Sequence, residues 1–329
     1  MTNTERIQAN NAELREAIEI AESLPDDGYD NLLVDMCHQT ITGDVNNDNV
    51  TRVGDYTFYN NTLLQSVVFQ NATSVGNYAF QNCTSLTDIN LPKVTTLGYS
   101  AFSKCTNLIV ANMPMVSSLT STTMGYHFQD CSKLESVNMP LLPTIPTAMF
   151  YNCQKNASAD FPLATEVGSN AFFQNRALTR VNLPLVTKVG SYAFQYCYAL
   201  ATACFNSLKT VASYVFYGCK IQIFDSPFES IAANAFGNCY YLKALVIRST
   251  SAVCTLANVN AFSGCTRFLG TVHSVYNPDG LLGYIYVPSA LVDSYKAATN
   301  WSTYASQFRA LEDYTVDGTI TGALDESKI

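Results

Sequence analysis

"SVGNYAFQNCTSLTDINLP", Ser74 to Pro92, sets an Ala-Phe pair three residues ahead of a cysteine and follows it with a short apolar alternation stopped by proline. Whether this is an isolated motif or one unit of a series decides how each residue in it is read. The phenylalanine recurs as Phe58, Phe80, Phe102, Phe128, Phe150, Phe172, Phe194, Phe216, Phe236 and Phe262, with successive gaps of 22, 22, 26, 22, 22, 22, 22, 20 and 26 residues. Ten occurrences at a near-fixed period identify an array. Around each, the chain reads apolar-Gly-x-Tyr-Ala-Phe-x-x-Cys-x-x-Leu-x-x-apolar-x-apolar-Pro, as in Leu178 to Cys197, "LTRVNLPLVTKVGSYAFQYC".

Each unit has a physical reading. Leu86, Ile89 and Leu91 alternate at period two near their end, which suits a short strand with one buried face. Pro92, Pro114, Pro140, Pro162 and Pro184 end that strand, because proline has no N–H for a ladder. Gly54, Gly76, Gly98, Gly168 and Gly190 lie four residues before the Phe, where a tight return predicts positive φ. Ordering about 22 residues costs on the order of 30 kcal/mol, whereas a buried Phe or Leu returns about 1.5–3 kcal/mol, so one coil cannot stand alone. Stacking on neighbours is obligatory.

The Leu-x-x-Leu-x-Leu core, with Gly-x-Tyr-Ala-Phe-x-x-Cys-x-x-Leu around it, resembles the BspA-like leucine-rich repeat proteins over about residues 50 to 290. The fold expected is an α/β repeat solenoid of about ten coils of ~22 residues, its short parallel strands forming one curved sheet. A helical N-terminal segment with linker is expected over 1–45, the array over 46–287, a helical C-terminal cap over 288–311 and a polar tail over 312–329. "IYVPSALVDSYKAATNW", Ile285 to Trp301, looks like the segment that caps arrays in that family, with Leu291, Val292, Tyr295 and Ala298 on one helical face. The resemblance implies a surface or secreted bacterial protein with an adhesive or host-surface role.

Composition narrows the partners. Apolar residues are 48% of the chain, charged ones 13%, and the net charge is −8. A core of that size folds, and the charge together with the lack of Lys/Arg runs argues against nucleic acid and anionic lipid. No stretch reaches the roughly 18 apolar residues of a spanning helix, so membrane insertion is not expected. Met1 to Pro25 alternates charge and apolar residues and reads as a capped helix, not a secretory leader. Export would then use a leader upstream or another route.

No catalytic constellation is found, so no enzyme activity and no cofactor are expected. His38, His127 and His273 have no ligand spacing, and no paired Cys-x-x-Cys exists. Asp44-x-Asn46-x-Asp48 reads either as half a calcium loop or as a solvated turn opening the first coil. Eight of the 11 cysteines sit three residues after the repeat Phe, and two units have Asn61 and Asn175 there instead. Exchange of Cys with Asn points to a buried group donating to a turn carbonyl; the alternative is bridging between coils.

The outward strand positions supply the candidate site. One column contains Asn90, Asn112, Asn138, Asp160 and Asn182, and its neighbour Asp88, Ser136, Ser158 and Arg180. Such rows can hydrogen-bond a glycan or peptide, or satisfy one another. Tyr56, Tyr78, Tyr126, Tyr192 and Tyr214, two residues before the Phe, suit either a binding surface or the wet rim of a coil. The functional expectation is a binding or adhesion module for a protein or glycan on a host or bacterial surface, placed extracellularly. The alternative is a virion- or tail-associated receptor-binding protein of a gut-bacterial phage or prophage.

Overall fold

The computed structural model describes residues 41–270 and 282–314, with Ala9 and Ala12 alone before them, both helical. The rest of the expected N-terminal helix, and the tail from 315, lie outside the described residues. The chain is a parallel-strand β-solenoid of about twelve turns rather than an α/β fold of ten. Twelve strands form the first wall, in three ladders: Gly43–Asn46 through Ser136–Asn138, Ser158–Asp160 through Thr202–Cys204, and Ile223–Ser226 through Phe308–Ala310. The first rung straddles the expected boundary at 45/46, since Gly43–Asn46 pairs with Leu64–Val68.

A second wall, absent from the sequence reading, consists of two-residue strands such as Thr96–Leu97. These form one four-stranded and one six-stranded ladder. The expected single curved sheet is therefore two walls of interrupted ladders. The second wall breaks between Ser118–Leu119 and Thr144–Ile145, where the Phe128 unit carries its four extra residues. The first wall breaks between Ser136–Asn138 and Ser158–Asp160, in the coil whose leading Leu is replaced by Asn156. That side chain is buried and its carbonyl oxygen has no partner among the described residues.

The third wall carries the Ala-Phe pair in consecutive tight turns. Gln81 N–H donates to Tyr78 O and Cys83 N–H to Phe80 O, while Phe80 N–H reaches Ala101 O of the next coil at 2.7 Å. Positive φ falls two residues after each Phe and, except at Phe262, two residues before it, on Tyr78 (55°) and Asn82 (63°) in this unit. The glycines four residues before the Phe do not have it. At Gly190 an added Cβ would sit 2.6 Å from Ser169 N of the preceding coil, so glycine is required there for close approach of backbones.

Inside, the ten phenylalanines are all buried and form one column. Neighbouring rings lie 5.0–5.7 Å apart and within 17° of parallel. The cysteine column beside them donates back one coil. Cys83 Sγ reaches Phe58 O at 3.0 Å, Cys153 reaches Phe128 O at 3.0 Å and Cys265 reaches Phe236 O at 2.8 Å. Asn175 makes the same bond to Phe150 O through Nδ2 at 2.6 Å, which explains the exchange of Asn with Cys. The ten described cysteines are unbridged.

The C-terminal cap is not mainly helical. It contains one six-residue α-helix, Val292–Ala297, 3₁₀ turns, and the strand Phe308–Ala310, which pairs parallel with Tyr284–Val287. Phe262, the last ring of the column, is covered by Phe268, Trp301 and Tyr304. Polar side chains meet backbone carbonyls of the last coil, and those of Cys254 and Leu256 are ones that a further coil would have met. Asn300 Nδ2 donates to Leu256 O at 2.7 Å, Trp301 Nε1 to Cys254 O at 2.6 Å and Tyr304 Oη to Val259 O at 2.6 Å. An end left open would strand those carbonyls.

Candidate binding surfaces

The columns of the first wall stand where the strand register puts them. Asp88 pairs with Val110 and that with Ser136; Ser158 pairs with Arg180; Asn90, Asn112 and Asn138 share a row, as do Asp160 and Asn182. The amide row is joined to itself. Asn112 Nδ2 donates to Asn90 Oδ1, Asn138 Nδ2 to Asn112 Oδ1, and Asn182 Nδ2 to Asp160 Oδ1, each at 2.8 Å. Asn112, the interior amide, thus has one donor and one acceptor already engaged. The row is split between Asn138 and Asp160, at the break in the wall.

Of the three residues that read as half a calcium loop, two are extended and Asp48 lies in the turn that follows. Asp44 and Asn46 belong to the strand Gly43–Asn46, and Asp44 Oδ1 accepts from Ser66 Oγ at 2.7 Å. A strand directs these side chains along a row rather than around a point.

One outward column escapes the sequence reading, and a second is read there only at its tyrosines two residues before the Phe. Met115, Leu141, Leu163 and Leu185, each directly after a strand-ending proline, stay 37–47% exposed on four successive coils. The available signal was position, since an apolar residue recurs after each of those prolines. The second column is aromatic and lies outside the third wall. Tyr56, Tyr78, Tyr99 and Tyr126 follow one another at 4.9–5.8 Å. Further along, Tyr151 stacks on Phe173 at 4.9 Å, Phe173 meets Tyr196 at 5.7 Å, Tyr196 meets Tyr198 and Tyr217, and Tyr217 leads through Tyr214 to Tyr192.

The titratable groups inside the coil are held away from chemistry. Burial pushes the thiols of Cys83, Cys131, Cys153, Cys197, Cys219 and Cys265 well upward, so they stay protonated and poorly nucleophilic. His127 replaces the usual Ala before the Phe. It is fully buried, neither ring nitrogen has a partner among the described residues, and burial pushes its pKa down to about 3.

The sequence pattern described as "BspA type Leucine rich repeat region" matches residues 38–157 and 165–274, in six copies. Among solved structures, a leucine-rich cell surface protein of Faecalibacterium prausnitzii is 21% identical, covering 73% of this chain and 78% of that one with a TM-score of 0.44. A leucine-rich repeat protein of T. pallidum is 22% identical over 57% of this chain and 81% of that one, with a TM-score of 0.37. One from Bacteroides ovatus is 17% identical over 78% and 87%, with a TM-score of 0.28. No curated protein sequence matches. The family pattern spans most of the repeat region, and the chain belongs to the BspA-type leucine-rich repeat family.

Proposed function

We propose that the protein is a non-enzymatic binding or adhesion module that presents a rigid repeat surface to a protein or glycan at a bacterial or host surface. The observation that carries this reading is the partition of chemistry across the coil. Thiols and His127 are enclosed and neutral, whereas the side chains that reach water are amides, hydroxyls, aromatic rings, aliphatic groups and charges, of which Lys188 with Glu166 and Lys209 with Glu229 form ion pairs. Those groups bind, and the thiols and the imidazole that could act as nucleophile or base are shut inside the coil. Proteins of this family are typically found at the cell surface. Among the described residues no helix is long and apolar enough to cross a membrane.

The test is titration of fluorescently labelled protein onto mucosal epithelial cells and onto bacterial cells. Saturable binding that unlabelled protein displaces is expected on one of them; its absence on both overturns the proposal. The first-wall site is tested separately by the triple variant Asn112→Ala, Asn138→Ala, Asn182→Ala. If all binding survives it unchanged, the amide row is structural and the ligand lies elsewhere.

A further inference from the structure

The outer side of the third wall, over the coils of Phe150, Phe172, Phe194 and Phe216, combines two independent features, the first shared with other coils and the second its own. The first is conformational. Tyr56, Tyr78, Tyr126, Tyr192, Tyr196 and Tyr214 all have φ between 46° and 64°. A bulky side chain in this left-handed region is strained, a cost that Gly or Asn largely avoids. Other coils do use Asn170 and Asn234 at the position of Tyr192 and Tyr214, and Asn152, Gly218 and Asn238 at that of Tyr196. The fold therefore accepts the less strained residue. Glycines of the next coil seat the rings: a Cβ at Gly218 would lie 3.4 Å from Tyr198 and 3.6 Å from Tyr196, and one at Gly237 would lie 2.6 Å from Tyr217.

The second feature is charge. Residues 146–157, 168–179, 190–201 and 212–222, each ending where a first-wall strand begins, contain Lys155, Arg176 and Lys220 and no Asp or Glu, in a chain with 26 acidic and 18 basic residues. Arg176, Tyr198 and Lys220 hold the same repeat position on three successive coils, all exposed, with Tyr198 at 52%. No carboxylate among the described residues is paired with Arg176 or Lys220. Lys220 lies over the Tyr241 ring at 5.5 Å. The result is an aromatic floor edged by unneutralised cations on an otherwise acidic protein.

Resting on the binding-module reading, we infer that this surface, centred on Tyr196, Tyr198, Arg176 and Lys220, binds an acidic oligosaccharide whose sugar rings carry carboxylates. The C–H face of a pyranose lies against an aromatic ring, its hydroxyls meet tyrosine hydroxyls, and its carboxylate meets guanidinium or ammonium. The half-exposed rings offer on the order of 400 Å², about half of what each partner needs for a stable protein interface, and of a size with a few sugar residues.

The test uses the full chain with a galacturonic acid tetrasaccharide and its methyl ester, and with sialyllactose and lactose, by calorimetry at two salt concentrations. One acidic sugar is expected to bind at least tenfold tighter than its neutral counterpart, and more weakly at high salt. The double variant Tyr196→Asn, Tyr198→Thr, built from residues other coils hold there, weakens binding at least tenfold with its melting temperature unchanged. Arg176→Gln with Lys220→Gln removes the preference for acid over neutral sugar. Equal binding of acid and neutral forms, no binding of either acid, or loss of the cooperative melt in the tyrosine variant each overturn the inference. If cell binding persists undiminished in both variants, this site is wrong while the binding-module reading stands.

Discussion

The phenylalanine column and the tyrosine stripe lie on opposite sides of one wall, two residues apart in each coil, and they obey different rules. The inner column has no exception in ten coils and no ring exposed to water. The outer stripe lapses at Ser100, Ala148, Asn170, Asn234 and Asn260, and the backbone there is left-handed with or without tyrosine in every coil but the last. An uninterrupted column marks what stacking demands. An interrupted one, retained against a conformational cost, marks what the solenoid merely carries.

Four measurements break or sharpen that contrast. Phe102→Ala removes a ring held between Phe80 and Phe128 and is expected to cost about 3–5 kcal/mol in urea unfolding. A cost below about 1 kcal/mol would mean the column is not the common core. His127 lies between the two columns in sequence, at the position where most coils have Ala. Its ordinary pKa of 6.5 is depressed to about 3 in the folded chain, so the unfolded chain binds more protons between those values. Stability from this group is complete above about pH 6.5 and falls by about 1.4 kcal/mol per unit as pH drops toward 3, or about 2 kcal/mol from pH 7 to pH 5. His127→Ala should remove that component, as judged from urea midpoints at both pH values.

Asn156→Leu restores the residue the pattern calls for and removes a buried carbonyl without a partner. A gain of about 1–2 kcal/mol is expected, with increased amide protection across the break between Asn138 and Ser158 as the readout. Tyr78→Asn loses stacking on Tyr56 but relieves the left-handed strain, so the melting free energy should move by less than about 1 kcal/mol. A loss beyond about 2 kcal/mol would show the outer stripe to be structural as well.

What the sequence disclosed followed from its periodicity. The buried Phe and Leu rows, the parallel register and the Cys-to-carbonyl bond could be read because each repeats identically and has one physical use. Gly190 could not: positive φ and close backbone approach both call for glycine, and only the neighbouring Ser169 distinguishes them. Thr96–Leu97 escaped because two residues are too few for an alternation to register. The amide row was visible in position but not in partner, since Asn112 bonded to Asn90 and Asn112 bonded to a ligand have the same spacing. The aromatic surface was read only at the tyrosines two residues before the Phe, because Phe173, Tyr196 and Tyr217 come from other repeat positions that only the coil brings side by side.

The terminal cap reads only the coil it sits on: Asn300, Trp301 and Tyr304 address Leu256, Cys254 and Val259 and nothing further back. It is therefore indifferent to how many turns precede it. Duplication or deletion of whole 22-residue units by unequal recombination would lengthen or shorten the rod without redesigning its end, so reach can vary between descendants while the terminus stays the same.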